Sequence, residues 1–478
     1  MMDPIHSDEM REREKEQTLL RKIDLRIVPL MLLLYLLSFL DRVNIGNAKL
    51  ANLERDIGLV GNEFNWSLSI FFIGYVVFEV PSNLILYKVR PSIWLPTIMI
   101  GWGITMSLMA FVKSYPALLV TRFLLGVFEA GLFPGLVYYV TIWYKRFEQS
   151  FRMGIIFSGS TIAGAFSGLL SYVIVSLTND NSPLKGWQLI FLIDGLVTVI
   201  AAAIAYFYIV DYPEKAKWLK KEERSLVIKR LKDDVGDTDY KKPRDHTFDK
   251  GYILECLKDW KVYMSMLMLL GADISIYSFS FFVPSIVNGF GFNEVISQLL
   301  VAPPFLFACI STLTISALSD RINSRGPFLM LSASIGIVGY MVILYTTNSN
   351  VIIAKYIATC IIAIGIFPCA VILIVWLSNN LSPPLKCNIG VAMMISVGNL
   401  GGIIAAQIYR PEDYPHYVLG HVIVSGCLLA VVCLSAIQYG ILRKLNEQKS
   451  IKIKTSGYDD VEDKKELDDR NHKFIYSL

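Results

Sequence analysis

Leu40-Asp41-Arg42-Val43-Asn44-Ile45-Gly46 and Arg122-Phe123-Leu124-Leu125-Gly126-Val127-Phe128-Glu129 put ionisable residues into, or at the end of, segments otherwise apolar enough to cross a membrane. A charge at the bilayer centre costs roughly 2.5–3.5 kcal/mol on insertion scales, so such residues persist where they face protein or a watery cavity. Two arginines and two carboxylates in that setting point to a site that binds an anion and handles a proton. The surrounding 478-residue chain is 54% hydrophobic and only 18% charged, with a mean hydropathy of +0.49. Soluble proteins average about 25% charged residues. Apolar runs long enough for a ~30 Å hydrocarbon layer recur along nearly the whole length. The fold class expected is therefore an all-α polytopic membrane protein.

Twelve spans are expected: 25–42, 64–87, 93–112, 117–144, 153–177 and 187–210, then 262–288, 296–319, 327–346, 351–377, 388–409 and 417–442. This divides the chain into a tail (1–24), a first six-helix bundle (25–210), a polar central loop (211–261), a second six-helix bundle (262–442) and a second tail (443–478). With the N-terminus inside, inner segments carry about 36 of the Lys and Arg residues, outer loops about five, and spans four. The positive-inside rule then places both termini in the cytoplasm. Residues 215–231 carry Trp218, Leu219, Leu226, Val227 and Leu231 near helical spacing, which reads as an amphipathic helix along the inner membrane surface. The charged tail from Asn446 reads as disordered.

Seven scattered cysteines without a CxxC pair read as small packing residues, and the five histidines lie in tails, loops or interfaces. Neither set suggests a metal or cofactor. No cleavable leader is expected, because the first 24 residues are charged and the first apolar run is a full span. Gly164/Gly168 and Gly398/Gly402 are GxxxG pairs that bring helix backbones together.

Arg122 and Glu129, seven residues apart, share one helix face with Gly126 between them and lie about 10 Å apart along the axis. An anion that neutralises Arg122 would leave Glu129 readier to take up a proton, a physical basis for coupling. The competing interpretation is a static ion pair that orders the fourth helix. Asp41-Arg42 either caps the outer end of the first helix or, if the helix continues through Asn44, Gly46 and Asn47, puts Arg42 into the cavity with Asp41 about 100° away. Glu79, before Pro81, is either a further proton site or support for a proline break. Asp273 and Tyr277, four apart, share a face of the seventh span. Asp194 and Lys355 are pathway residues or interhelical contacts. Asn399 sits among glycines in the eleventh span, whereas Asn379 and Asn380 read as loop caps.

At this level of detail the chain resembles the fungal allantoate permease family, within the anion–cation symporters of the major facilitator superfamily. The resemblance rests on Asp41-Arg42-Val43-Asn44-Ile45-Gly46-Asn47, Phe78-Glu79-Val80-Pro81-Ser82-Asn83, Arg122 through Gly126-Val127-Phe128-Glu129-Ala130-Gly131, Ser319-Asp320-Arg321, Gly398-Asn399 and Tyr414-Pro415-His416-Tyr417. It implies a proton-coupled importer of small carboxylates, such as allantoate, ureidosuccinate, nicotinate, pantothenate or biotin, working by alternating access of two six-helix halves. It implies Arg42 and Arg122 as anion and gating residues and Asp41 and Glu129 as proton carriers. Tyr75, Tyr277 and Asn399 are implied or candidate substrate contacts, with Glu79 and Asp273 as additional polar groups. Asp320-Arg321 fits a cytoplasmic charge latch. The loop after the second span, Tyr87-Lys88-Val89-Arg90-Pro91-Ser92, lacks the superfamily's Asp, and Asp273 matches no position of the pattern.

A monomer in the plasma membrane is expected, with protons, a carboxylate and the bilayer as partners and no nucleic acid. An exporter of anionic compounds and a non-transporting nutrient sensor are the alternatives. An enzyme is disfavoured, because no His, Ser/Lys or metal-ligand pair lies at membrane depth.

Overall fold

In a bilayer every backbone N–H and C=O must be satisfied within the segment, so apolar spans of this length fold as helices. The computed structural model describes residues 4–178, 183–235, 250–322, 324–347, 351–382, 384–455 and 474–478. Among them are 12 helical segments long and apolar enough to cross a membrane. The first half contains α1 (Pro4–Leu50), α2 (Glu63–Val89), α3 (Pro91–Met109), α4 (Tyr115–Glu129), α5 (Leu132–Trp143), α6 (Arg146–Leu177) and α7 (Gly186–Tyr208). After α8 (Lys221–Val235), the second half contains α9 (Trp260–Gly289), α10 (Glu294–Leu299), α11 (Ala302–Ile322), α12 (Gly326–Thr346), α13 (Ile352–Asn379), α14 (Pro384–Ile408) and α15 (Val418–Thr455).

Three features differ from the expected spans. First, α1 does not stop at Arg42 but runs on to Leu50, so Asp41 and Arg42 lie within the helix and are buried. Second, the fourth span is broken: α4 ends at Glu129 and α5 starts at Leu132. Pro134 has no N–H to give to Ala130, and a Cβ on Gly131 would collide with Ser82. Third, the eighth span divides at Leu300–Val301, just before Pro303-Pro304, whose missing donors suit the first turn of α11.

In place of the amphipathic helix expected over 215–231, α8 begins only at Lys221, leaving Trp218 and Leu219 ahead of it, and it is fastened to protein. Arg230 pairs with both Glu16 of α1 and Glu148 of α6, and Lys145 reaches Glu16 at 2.9 Å. Arg152 grips Asp24 with two bonds of 2.6 and 2.8 Å, and Lys22 meets Glu223 at 2.7 Å. That hydrogen bond from Lys22 holds the Glu223 carboxyl below its usual range. Trp218 stacks on Trp143 with ring centroids 5.8 Å apart.

The halves meet closely where glycines leave room. A Cβ on Gly46 of α1 would strike the Phe281 carbonyl of α9, one on Gly402 of α14 the Phe72 ring of α2, and one on Gly164 of α6 the Phe305 ring of α11. At the end away from the termini, Asn62 donates to Gln407 (2.7 Å), Asn65 to the Tyr409 carbonyl (2.8 Å) and Gln298 to the Asn47 carbonyl (3.4 Å). These polar bonds join the two halves there directly. The tail is also more than the expected disorder: residues 474–478 pack on the second half, while 456–473 lie outside the described residues.

Candidate functional site

Because α1 continues past residue 42, the Arg42 guanidinium reaches the junction of the two halves. Its Nε and Nη2 donate to Glu129 Oε1 at 3.1 and 2.5 Å, and its Nη1 donates to the Tyr277 hydroxyl at 2.8 Å. Ser38, one turn earlier on α1, adds a 2.6 Å bond to the same carboxylate oxygen. The Tyr277 hydroxyl donates in turn to Asn399 Oδ1 at 3.1 Å. A single chain of polar contacts therefore runs from α4 through α1 and α9 to α14. The rings of Phe71, Tyr75 and Tyr277 lie 5.4, 5.1 and 5.7 Å from the guanidinium carbon, so aromatic faces enclose the cation.

Glu129 owes its position to the break between α4 and α5, which ends the helix at that residue. Its partner is Arg42. Arg122 and Glu129 stay apart along the axis, as their seven-residue spacing requires, so the competing static ion pair between them does not form. Arg122 is fully buried, donates from Nε to the Ser67 carbonyl at 3.2 Å and lies 5.1 Å from the Phe71 ring. Its two terminal nitrogens have no hydrogen-bond partner among the described residues. Gly126, between the two, is pressed against the Phe71 carbonyl of α2 so tightly that any Cβ would overlap it. That approach holds Phe71 against both arginines.

Asp41 points away from Arg42, as the 100° rotation requires, and enters a separate cluster. Its Oδ2 accepts from Trp102 Nε1 (3.1 Å) and Thr198 Oγ1 (2.9 Å), both neutral donors. Asp194 lies beside it and accepts from Asn44, which also receives a bond from Ser167; Asn47 donates to Ser167 at 2.6 Å. Two buried carboxyls thus lie together, and the hydrogen-bond donors they have among the described residues are neutral. Trp102, Thr198 and Ser167 were not legible as site residues, because each is one polar group within an apolar helix. Ser38 had a signal: it stands four residues before Arg42, on the same face.

The remaining candidates scatter. Glu79 of α2 contacts Ser396 of α14 across the halves, leaving its Oε2 unpartnered among the described residues. Asp273 lies against Gly398, where a Cβ would come within 2.5 Å of its carboxylate. At the terminus-bearing end, Asp320 pairs with Arg325 rather than with Arg321, and Arg321 is exposed. Arg325 also donates to Ser319 at 3.0 Å. Lys355 bonds the Thr347 carbonyl at 3.2 Å, an interhelical tie. Among the described residues, no group of three His, Cys, Asp or Glu side chains is arranged to hold a metal ion.

The sequence matches the Major Facilitator Superfamily over residues 31–406. It is 34% identical over 453 residues to the MFS transporter prlL of Fungal sp. (strain NRRL 50135), covering 92% of this chain and 89% of that protein. It is 28% identical over 464 residues to the high-affinity nicotinic acid transporter of Saccharomyces cerevisiae, covering 96% and 85%. Among solved structures, a bacterial homologue of the human lysosomal transporter Spinster in an inward-facing conformation superposes with a TM-score of 0.66. The identity there is 15%, with 86% of this chain and 95% of that one covered, a likeness of fold.

Proposed function

The chain belongs to the Major Facilitator Superfamily and is a multi-pass membrane transporter rather than an enzyme; from that premise we propose that it imports a small organic carboxylate together with a proton. The observation that carries this is Arg122, a fully buried guanidinium whose two terminal nitrogens have no partner among the described residues. An unpaired charge in a low-dielectric interior is strongly unfavourable. A planar carboxylate matches the geometry of its paired N–H groups. Glu129, the carboxylate on the same helix face, is already engaged by Arg42.

The coupling follows from that arrangement. An anion that enters against Arg122 competes with Glu129 for the positive field of the two arginines. Glu129 then takes up a proton, Arg42 is freed to turn toward the anion, and the Arg42–Tyr277–Asn399 link between the halves is remade around the cargo. Asp41, held by neutral donors beside Asp194, is a second proton-holding position. Alternating access proceeds by rocking of the halves about this junction, with the Asn62–Gln407 and Asn65–Tyr409 contacts opening on the outer side. In this reading the protein resides in the plasma membrane with both termini in the cytoplasm. Its function is then of the kind that the resemblance to the allantoate permease family implies and that the name of the nicotinic acid transporter noted above carries.

The test is uptake of labelled carboxylates by cells expressing the chain, at an external pH of about 5 and about 7.5. Faster accumulation of one anion at the acidic pH is the expected result. Acid-driven efflux, or saturable binding without accumulation, would overturn import by symport.

A further inference from the structure

Two asparagines at the terminus-bearing end of the second half act as clamps on a peptide backbone. Asn446 of α15 donates to the Tyr476 carbonyl and accepts from the Tyr476 N–H, both at 2.9 Å. Asn380, at the end of α13, does the same to the next residue: it donates to the Ser477 carbonyl at 3.0 Å and accepts from the Ser477 N–H at 2.8 Å. Trp376 Nε1 adds a second 3.0 Å bond to that carbonyl, Lys449 reaches the Phe474 carbonyl at 2.9 Å, and the Arg325 amide donates to the Leu478 carbonyl. Every carbonyl from 474 to 478 except that of Ile475 is held by the second half.

The side chains follow the same alternation. Tyr476 is buried between two ammonium groups, Lys449 and Lys261, 3.9 and 4.7 Å from its ring, while Ile475 points outward and is exposed. Ser477 Oγ is buried with no hydrogen-bond partner among the described residues. The floor is built of buried groups: Trp376 and Asn380 are at most 1% exposed, and the Lys261 ammonium also bonds the Asn380 carbonyl at 2.9 Å. Main-chain recognition combined with pockets for alternate side chains is the way proteins bind extended peptides.

We propose that this end of the second half is a peptide-binding groove, that residues 474–478 are its internal ligand, and that their docking staples the ends of α9, α13 and α15 to one another. All the contacting residues belong to the second half, so the staple stiffens that half as a unit. The proposal is independent of which solute is carried. A charge at Ser477 would replace a buried hydroxyl that has no hydrogen-bond donor among the described residues, whereas removal of that hydroxyl leaves every clamp bond intact.

Amide hydrogen exchange on the full chain in lipid nanodiscs tests this. The Tyr476 and Ser477 amides should exchange at least about tenfold more slowly than in the free peptide Phe-Ile-Tyr-Ser-Leu, because each donates to a clamp. Ser477→Glu should restore fast exchange there and raise exchange at 377–380 and 446–455, while Ser477→Ala leaves both slow. The pair Asn380→Ala and Asn446→Ala should act like Ser477→Glu, with the membrane helices as the folding control. Free-peptide exchange rates in the unmodified chain would overturn the docking. Unchanged exchange at 377–380 and 446–455 in Ser477→Glu, despite release of the segment, would overturn the staple.

Discussion

Replacing Glu129 by glutamine removes one negative charge from the point where Arg42 donates at 2.5 and 3.1 Å and Ser38 at 2.6 Å. The amide keeps an acceptor in nearly the same place, so the packing survives and the loss is electrostatic. Hydrogen bonds to charged groups contribute about 1.5–3 kcal/mol and neutral ones about 0.5–1.5. Arg42 keeps its charge, so its bonds to the amide stay charge-assisted but lose their counter-charge, and the cost should approach about 3–5 kcal/mol, the value expected for a buried charge stripped of its partner. Thermal unfolding in detergent should show a lowered midpoint for Glu129→Gln and a larger drop for Glu129→Ala. The transport consequence is distinct. Electroneutral symport of one proton with one monoanion gains about 1.4 kcal/mol, a tenfold accumulation, for each pH unit across the membrane. A gradient of about two units therefore drives about hundredfold accumulation. In Glu129→Gln the accumulation ratio should fall to about one, while counterflow exchange of labelled for unlabelled anion persists, since Arg122 is untouched. Accumulation at the unmutated level in Glu129→Gln would refute the assignment of Glu129 as the proton carrier.

Arg122→Lys should weaken apparent affinity for the anion by about tenfold or more, because an ammonium lacks the planar pair of donors; concentration-dependent uptake measures it. Tyr277→Phe deletes the bonds to Arg42 and Asn399, at 2.8 and 3.1 Å, and should cost about 1–2 kcal/mol of stability and slow uptake. A variant as stable and as fast as the original would show that the link between the halves is incidental. Gly46→Ala sets a Cβ against the Phe281 carbonyl carbon at 3.3 Å with the oxygen closer still. Overpacking of about 1–3 kcal/mol should outweigh the gain of about 1 kcal/mol in helix propensity, so the thermal midpoint should fall rather than rise. Lys22 holds the Glu223 carboxyl below its ordinary pKa of 4.5, so the tie stabilises near neutral pH and fades as pH falls through that lowered value. Being solvent-screened, it should be worth less than about 1 kcal/mol at neutral pH in Lys22→Ala.

Much of this protein follows from the chain taken one segment at a time. Apolar length and the near absence of charge specify membrane helices, because no other backbone arrangement in these segments satisfies its own N–H and C=O groups in lipid. The rare ions at 41, 42, 122 and 129 mark the interior for the same reason: lipid tolerates them nowhere else. The glycines at 46, 164 and 402 announce close contacts, though not with which helix. What a single segment does not contain is the rotation of one helix against another. Spacing puts Arg122 and Glu129 on one face, yet the carboxylate pairs with Arg42, because α1 continues to Leu50 and brings its guanidinium within reach. Asp41 finds Trp102 and Thr198 on two other helices for the same reason. Residues 474–478 dock through their main chain, which is alike in every sequence and leaves no side-chain pattern to read. One-body terms, the transfer of a residue into lipid and the closing of its own hydrogen bonds, are written along the sequence. Pair terms fall off over a few ångströms, so only the assembled helices decide which charge meets which.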